Sequence, residues 1–400
     1  MTRHLGSREL GGPDPLDTQL GPPRPLLARL GLQRIMPRLH RRAALGLRPG
    51  LAPAIVLVPA GFLLGPQATN VLSADVLAHL QVGVALGLAL LGVFVGRALA
   101  REIRKVRLIV AGNLESAAAA ATVAFASWFL ITRWGVPVGG DLVLVALCLG
   151  LTSAASSAHT ADPNDDPGAR AATRIADFDD LTLIAAASVL LVLIRGSYGD
   201  VTAGLHVAPL VIGAAVALAG LLLFEHAEAE SERSLLVLGA IALLGGASAY
   251  LMTSSLAAGL VAGIIWTVVP GRADVILTSD AQKLQHPLVA LVLLMAGAFF
   301  VPTVAVLWLL TPYVLFRLVG KMIGANLAAR LVPGLRGMDL TGYLLPPGVI
   351  GVGFALTFML ALPPAAGQLV ISVAAAGTVL SEVLALFFVP AAPPSEDAAA

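Results

Sequence analysis

Asp179 and Asp180 are adjacent carboxylates inside Ala171–Ile194, an otherwise apolar stretch long enough to cross a bilayer. Carboxylates at bilayer depth are costly, so they line an ion or proton path rather than face lipid. Neighbouring residues on a helix point about 100° apart, so one aspartate faces a cation and the other a counter-charge. Burial and mutual repulsion disfavour ionising both at once. Such a pair binds a cation when deprotonated and carries protons otherwise, and exclusive occupancy of this kind is what an antiporter requires. The competing reading is a solvated inner helix end, which nearby Arg174 and Asp177 favour.

Lys321 is the second residue able to do chemistry. It lies near the end of the apolar run Thr303–Leu327. An intramembrane lysine needs a partner, and Asp179 is the candidate; snorkelling toward Arg330 at the inner interface is the alternative. Arg317, one turn deeper, pairs with an acid in this reading, with Glu115 the choice. In the fourth apolar run, Leu151–Ser157 carries Thr152, Ser153, Ser156 and Ser157. Small hydroxyl residues there suit a broken helix whose carbonyls and hydroxyls coordinate a hard cation, although ordinary small-residue packing gives the same composition. Pro346-Pro347-Gly348, then Gly351 and Gly353, form the matching irregularity in the eleventh run. Glu115 and Glu382 also fall inside apolar runs. Structural roles are expected of both, Glu382 capping or pairing locally, with a proton relay or dimer-interface acid the alternative for Glu115. His159, His206 and His226 lie at span ends and read as solvated.

The elements that must hold these residues are membrane helices. Of 400 residues, 58% are hydrophobic and 12% charged, with a mean hydropathy of +0.89; soluble domains carry about 25% charged residues. The 41 glycines and 26 prolines suit membrane helices, which tolerate close approach and breaks. Runs of roughly 17–25 apolar residues mark spans. Twelve are expected: Leu51–Leu64, Val76–Leu99, Val106–Ile131, Asp141–Ala158, Ala171–Ile194, Ala203–Phe224, Leu235–Tyr250, Ser255–Val269, Leu288–Val301, Thr303–Leu327, Leu344–Leu362 and Gly367–Val389. With the N-terminus inside, inner loops and helix ends collect nearly all the basic residues and outer loops take only Arg133 and Arg195, which sets both termini in the cytoplasm. Spans three to five and ten to twelve start on opposite sides, the geometry of an inverted repeat.

Residues 1–48 hold nine of the 25 Lys and Arg residues without the apolar core of a signal peptide. Leu26–Leu47 reads either as a basic amphipathic helix on the inner leaflet or as an irregular arginine-rich leader. Residues 49–390 form the transmembrane domain and 391–400 a short cytoplasmic tail. The loop Asp162–Asp166 and the acidic run Glu225–Glu232 read as solvated inner segments. Cys148 is the single cysteine, so no internal disulfide and no Cys/His zinc spacing exist. The chain shows no phosphate loop, dinucleotide fingerprint or hydrolase constellation, and neither an enzyme, a cofactor nor a nucleic-acid partner is expected.

Several segments, in order, resemble the monovalent cation/proton antiporter superfamily, in the branch of bacterial sodium/proton antiporters and Kef-type potassium/proton exchangers. Gly61–Pro66 resembles the glycine/proline end of that family's first helix and Val82–Gly96 its second. Thr152-Ser153 resembles the Thr-Ser of the unwound crossing, and Asp179-Asp180 the two-aspartate motif of electrogenic members. Leu256–Ile265 is similar to the "AFLAGLLL" helix and Arg317–Lys321 to the R-x-x-G-K signature. The resemblance covers most of residues 50–390. It implies an all-α inverted-repeat fold of about twelve spans with two discontinuous crossing helices. It further implies a core of residues 106–194 and 303–389 moving against a scaffold, within a homodimer in the inner membrane. Asp180 would be the principal cation and proton site, Asp179 the lysine-paired partner, and Thr152 and Ser153 lining residues; Ser156, Glu115, Arg317 and Glu382 are accessory candidates. A Lys321–Asp179 pair would allow more than one proton per cation.

The sequence departs from that pattern in four places. Gly96-Arg97 replaces Gly-Leu-Glu, Ala154 stands where a proline follows Thr-Ser, the eleventh span is diverged, and no nucleotide-binding domain is expected after the last span. The expected function is exchange of inward-moving protons for outward-moving Na+, with Li+ or K+ open. A non-transporting sensor of the same fold would tolerate Asp180→Asn and show no ion-driven proton flux. An organic-anion carrier would want cationic or amide groups at the broken helices, where the charges are chiefly acidic.

Overall fold

The structure is a computed structural model. It describes residues 53–102, 106–156, 167–198, 207–227, 229–269, 273–332 and 340–388. The basic leader, the 162–166 loop, His159 and His206 lie outside the described residues.

Thirteen helices occur among the described residues: α1 (Pro53–Leu64), α2 (Ala74–Glu102), α3 (Val106–Trp134), α4 (Leu142–Ala154), α5 (Pro167–Tyr198), α6 (Ala208–His226), α7 (Glu230–Tyr250), α8 (Ser255–Val268), α9 (Ala273–Ala298), α10 (Val304–Leu331), α11 (Thr341–Leu344), α12 (Val349–Ala361) and α13 (Pro364–Phe388). Seven are long and apolar enough to cross a membrane, and five shorter apolar helices accompany them. Each of the twelve expected spans overlaps one of these. Several helices outrun their apolar runs: α5 starts at Pro167 and α9 at Ala273, because a helix continues into polar residues past the hydrocarbon boundary while a hydropathy reading stops there.

Side-chain caps set local starts. Asp141 accepts the amides of Val143 (2.8 Å) and Leu144 (3.2 Å) at the head of α4, Ser254 that of Ala257 (3.2 Å) at α8, and Thr303 that of Val306 (3.3 Å) at α10. Each satisfies an amide that has no partner within its helix. The first turn of α1 is capped from 327 residues away: the Ile55 amide donates to Glu382 Oε2 of α13 at 3.1 Å. Glu382 therefore does cap, but across the fold rather than within its own span.

Without a hydrophobic drive between helices in lipid, close packing relies on small residues. On α2, a Cβ at Gly92 or Gly96 would strike the carbonyls of Leu256 or Leu260; on α8, one at Gly259 or Gly263 would strike those of Ala89 or Val93. The two G-x-x-x-G faces thus interlock backbone to backbone. A second such pattern, Gly320-x-x-x-Gly324 on α10, presses α3: a Cβ at Gly324 would lie 2.6 Å from the Glu115 carbonyl oxygen, and one at Gly320 2.7 Å from Ala119 Cα.

The largest buried cluster draws on α3, α4, α5, α10, α12 and α13, with contributions from α1, α2, α8 and α9. A second surrounds Trp266 between α2, α6, α7 and α8, where the indole N–H donates to the Ala217 carbonyl at 2.9 Å. Large apolar side chains such as Leu210, Leu218 and Leu222 of α6 and Leu235 of α7 are exposed, as befits a surface that meets lipid or another chain.

Gly259→Leu is expected to lower the thermal unfolding midpoint of detergent-purified protein, since overpacking costs about 1–3 kcal/mol. The same change at Gly239 on α7, where nothing lies within 4 Å, is expected to leave it unchanged.

Candidate functional site

Two helices stop in the middle of the bundle. Helix α4 ends at Ala154, and Ala155 takes an extended conformation (φ −60°, ψ 137°). The chain from α11 to α12 leaves helical geometry after Leu345, over Pro346–Gly348. The two breaks meet antiparallel: Ser156 bridges Pro347, and the Gly348 amide donates to the Ala155 carbonyl at 3.0 Å. Pro347 has no amide to give and Gly348 admits close approach, its Cβ position lying 2.8 Å from the Ser156 carbonyl oxygen. The irregular runs in spans four and eleven are therefore one crossing.

Backbone freed in an apolar interior must be satisfied internally, and α10 supplies the donors. Arg317 Nη2 donates to Ala155 O (3.2 Å) and Leu345 O (3.0 Å), one carbonyl from each break. One turn on, Lys321 Nζ donates to Ala154 O, the last carbonyl of α4, and to Ser156 Oγ at 2.5 Å. Both cations sit at the C-terminal, electronegative end of α4. Arg317 is 2% exposed and Lys321 0%, which rules out snorkelling.

The acids close around Lys321. Its ammonium lies 3.0 Å from Glu115 Oε1 and donates to Oε2 at 3.1 Å; Asp179 Oδ2 is farther, at 3.8 Å. The expected pairing of Arg317 with Glu115 is not what forms: Arg317 takes backbone carbonyls and Glu115 takes the lysine. Asp179 Oδ2 instead accepts the Ser156 amide at 3.0 Å, while Oδ1 is buried and has no hydrogen-bond partner among the described residues. Asp179 is 0% exposed and Asp180 7%, so the pair does not sit at a solvated helix end. Asp180 is turned about 100° from Asp179 around α5.

Thr152 and Ser153 are buried at the end of α4. Their hydroxyls donate backward to Leu149 O (2.9 Å) and Gly150 O (2.7 Å), which leaves their lone pairs to receive other groups. Thr152 Oγ1 already accepts the Tyr313 hydroxyl at 3.4 Å. Glu382 lies apart from this cluster, at the start of α1.

Two polar residues beside the site were not anticipated. Asn113 Oδ1 accepts both the amide (2.9 Å) and the hydroxyl (2.5 Å) of Thr182, tying α3 to α5 two residues from each of Glu115 and Asp180. Tyr313 lies one turn before Arg317. An asparagine in an apolar helix two residues from a glutamate was the available signal for the first. Among the described residues, no group of three or more His, Cys, Asp and Glu side chains forms a site that could hold a metal ion.

A crossing of two broken helices, faced by a lysine, an arginine and buried carboxylates, thus lies within a helical bundle. The sodium proton antiporter MjNhaP1 from Methanocaldococcus jannaschii, solved at pH 8, superposes with a TM-score of 0.59 at 18% identity, over 90% of this chain and 98% of that one. A second structure of the same antiporter, from a three-dimensional electron microscopy map, gives 0.52 at 17% identity, over 90% and 95%. No protein-family model and no curated protein matches the sequence. At this identity the likeness establishes the fold.

Arg317→Ala is expected to destabilise the purified protein by roughly 2–6 kcal/mol, because two buried carbonyls lose their donor at about 1–3 kcal/mol each. Arg317→Lys is expected to recover only part of this, since its compact ammonium does not reproduce the planar fork. Thermal unfolding midpoints in detergent check both.

Proposed function

We propose that the protein is a secondary active antiporter that exchanges protons for a monovalent cation, Na+ first and Li+ or K+ next, by alternating access. The observation that carries the reading is the burial of Asp179 against the crossing of two broken helices, with one of its oxygens left without a hydrogen-bond partner among the described residues and buried Asp180 beside it in sequence. The likeness of the fold to a sodium proton antiporter supports it.

Asp180 is the principal cation and proton site. Asp179 is its second carboxylate, and Thr152 and Ser153 contribute oxygen ligands, the donor type that hard cations take. A bare carboxylate at this depth is costly, so the site holds either a proton or a cation as it changes sides. Lys321 and Arg317 hydrogen-bond the carbonyls freed at the crossing and offset their partial negative charge. The moving unit is the core of residues 106–194 and 303–389, the remaining helices forming the scaffold. The chain works as a homodimer in the inner membrane, with both termini cytoplasmic.

Proteoliposomes with an imposed pH gradient test this. Addition of Na+, Li+ or K+ is expected to collapse the gradient with wild type and to have no effect with Asp180→Asn. A folded wild type that responds to no monovalent cation, or exchange that survives in Asp180→Asn, contradicts the proposal.

A further inference from the structure

An ammonium has three N–H donors, and all three of Lys321 are committed. They go to Glu115 Oε2, Ala154 O and Ser156 Oγ. Asp179 Oδ2, at 3.8 Å, receives charge from the lysine but no hydrogen bond. The carboxylate of Asp179 therefore has acceptor capacity to spare: Ser156 serves it with its amide and its hydroxyl, but buried Oδ1 takes no hydrogen bond among the described residues.

We infer that Glu115 is a positioning residue of the exchange site, one that holds Lys321 and so leaves the Asp179 carboxylate open to the transported cation. The inference rests on the antiporter reading above. Packing makes the hold firm. Gly324 presses the Glu115 backbone and Gly320 presses Ala119, so α3 and α10 cannot slide without a clash, and the Glu115–Lys321 pair cannot open by side-chain rotation into solvent, since both are wholly buried. On the other flank, Gly112 lets α5 approach α3, its Cβ position lying 2.6 Å from Ile175 O and 3.1 Å from the Asp179 amide nitrogen. The three helices thus set the two acids on either side of one lysine at unequal distances. A lysine released from Glu115 has only a short move to make to donate to Asp179, where it competes directly with a cation.

Two measurements test this on the full chain: cation-dependent proton flux in proteoliposomes, read as KM and maximal rate, and the Na+ concentration that half-maximally stabilises the detergent-purified protein against heat. In Glu115→Gln, KM and the half-stabilising concentration are each expected to rise at least about tenfold, the scale at which close charge pairs couple, with the maximal rate within about twofold. Adding Lys321→Gln is expected to bring the half-stabilising concentration back to the wild-type value or below, because nothing then claims Asp179. A merely structural role would not give that rescue. Should Glu115→Gln alone fail to fold, the double variant carries the test, since removing both members of a buried pair is often tolerated. Unchanged Na+ dependence in folded Glu115→Gln, or a double variant about tenfold weaker than wild type, overturns the inference while leaving the antiporter reading standing. Absence of any cation effect on wild type overturns that reading and this inference with it.

Discussion

A helix that breaks at bilayer depth exposes carbonyls where no water can reach them, and each one left bare costs several kcal/mol. Everything around the crossing follows from meeting that cost. Arg317 bridges one carbonyl from each break, Lys321 closes the last turn of α4, and Gly348 donates to Ala155. Satisfying backbone with cations then creates a second debt, because a buried lysine and a buried arginine need negative charge nearby. Glu115 and Asp179 provide it. The acids that make the site chemically interesting are thus also what permits two broken helices to exist in an apolar bundle.

The proposed function draws on the imbalance in this arrangement. A network in which every group was matched would be rigid and inert. Here Lys321 is saturated while one Asp179 oxygen is not, and Asp180 places a further carboxylate in the same buried region of α5. That surplus of acceptor capacity is what the proposed exchange would use to hold a small cation or a proton. The glycine faces matter because they make the distances reproducible: Gly320 and Gly324 fix how far α3 stands from α10, and Gly92, Gly96, Gly259 and Gly263 lock α2 to α8.

Much of this was legible in the sequence, because it is written locally. Composition and the lengths of the apolar runs marked the membrane class and the spans. The hydroxyl-rich end of span four and Pro346-Pro347-Gly348 marked both breaks, and Lys321 stood out as a charge inside an apolar run. What could not be read is rotational register. Whether Lys321 meets Glu115 or Asp179 first depends on how α3 is turned against α10, and no local pattern encodes that angle. Glu382 shows the same limit. Its partner is an amide 327 residues away, chosen by where α1 docks against α13.

In the proposed antiporter a cation and a proton compete for the buried aspartates. Calorimetric titration of the purified protein with Na+, run in two buffers of different ionisation enthalpy, measures it directly. The account predicts saturable binding with proton release on cation binding, seen as a buffer-dependent heat. Saturable binding with the same heat in both buffers at every pH would contradict it.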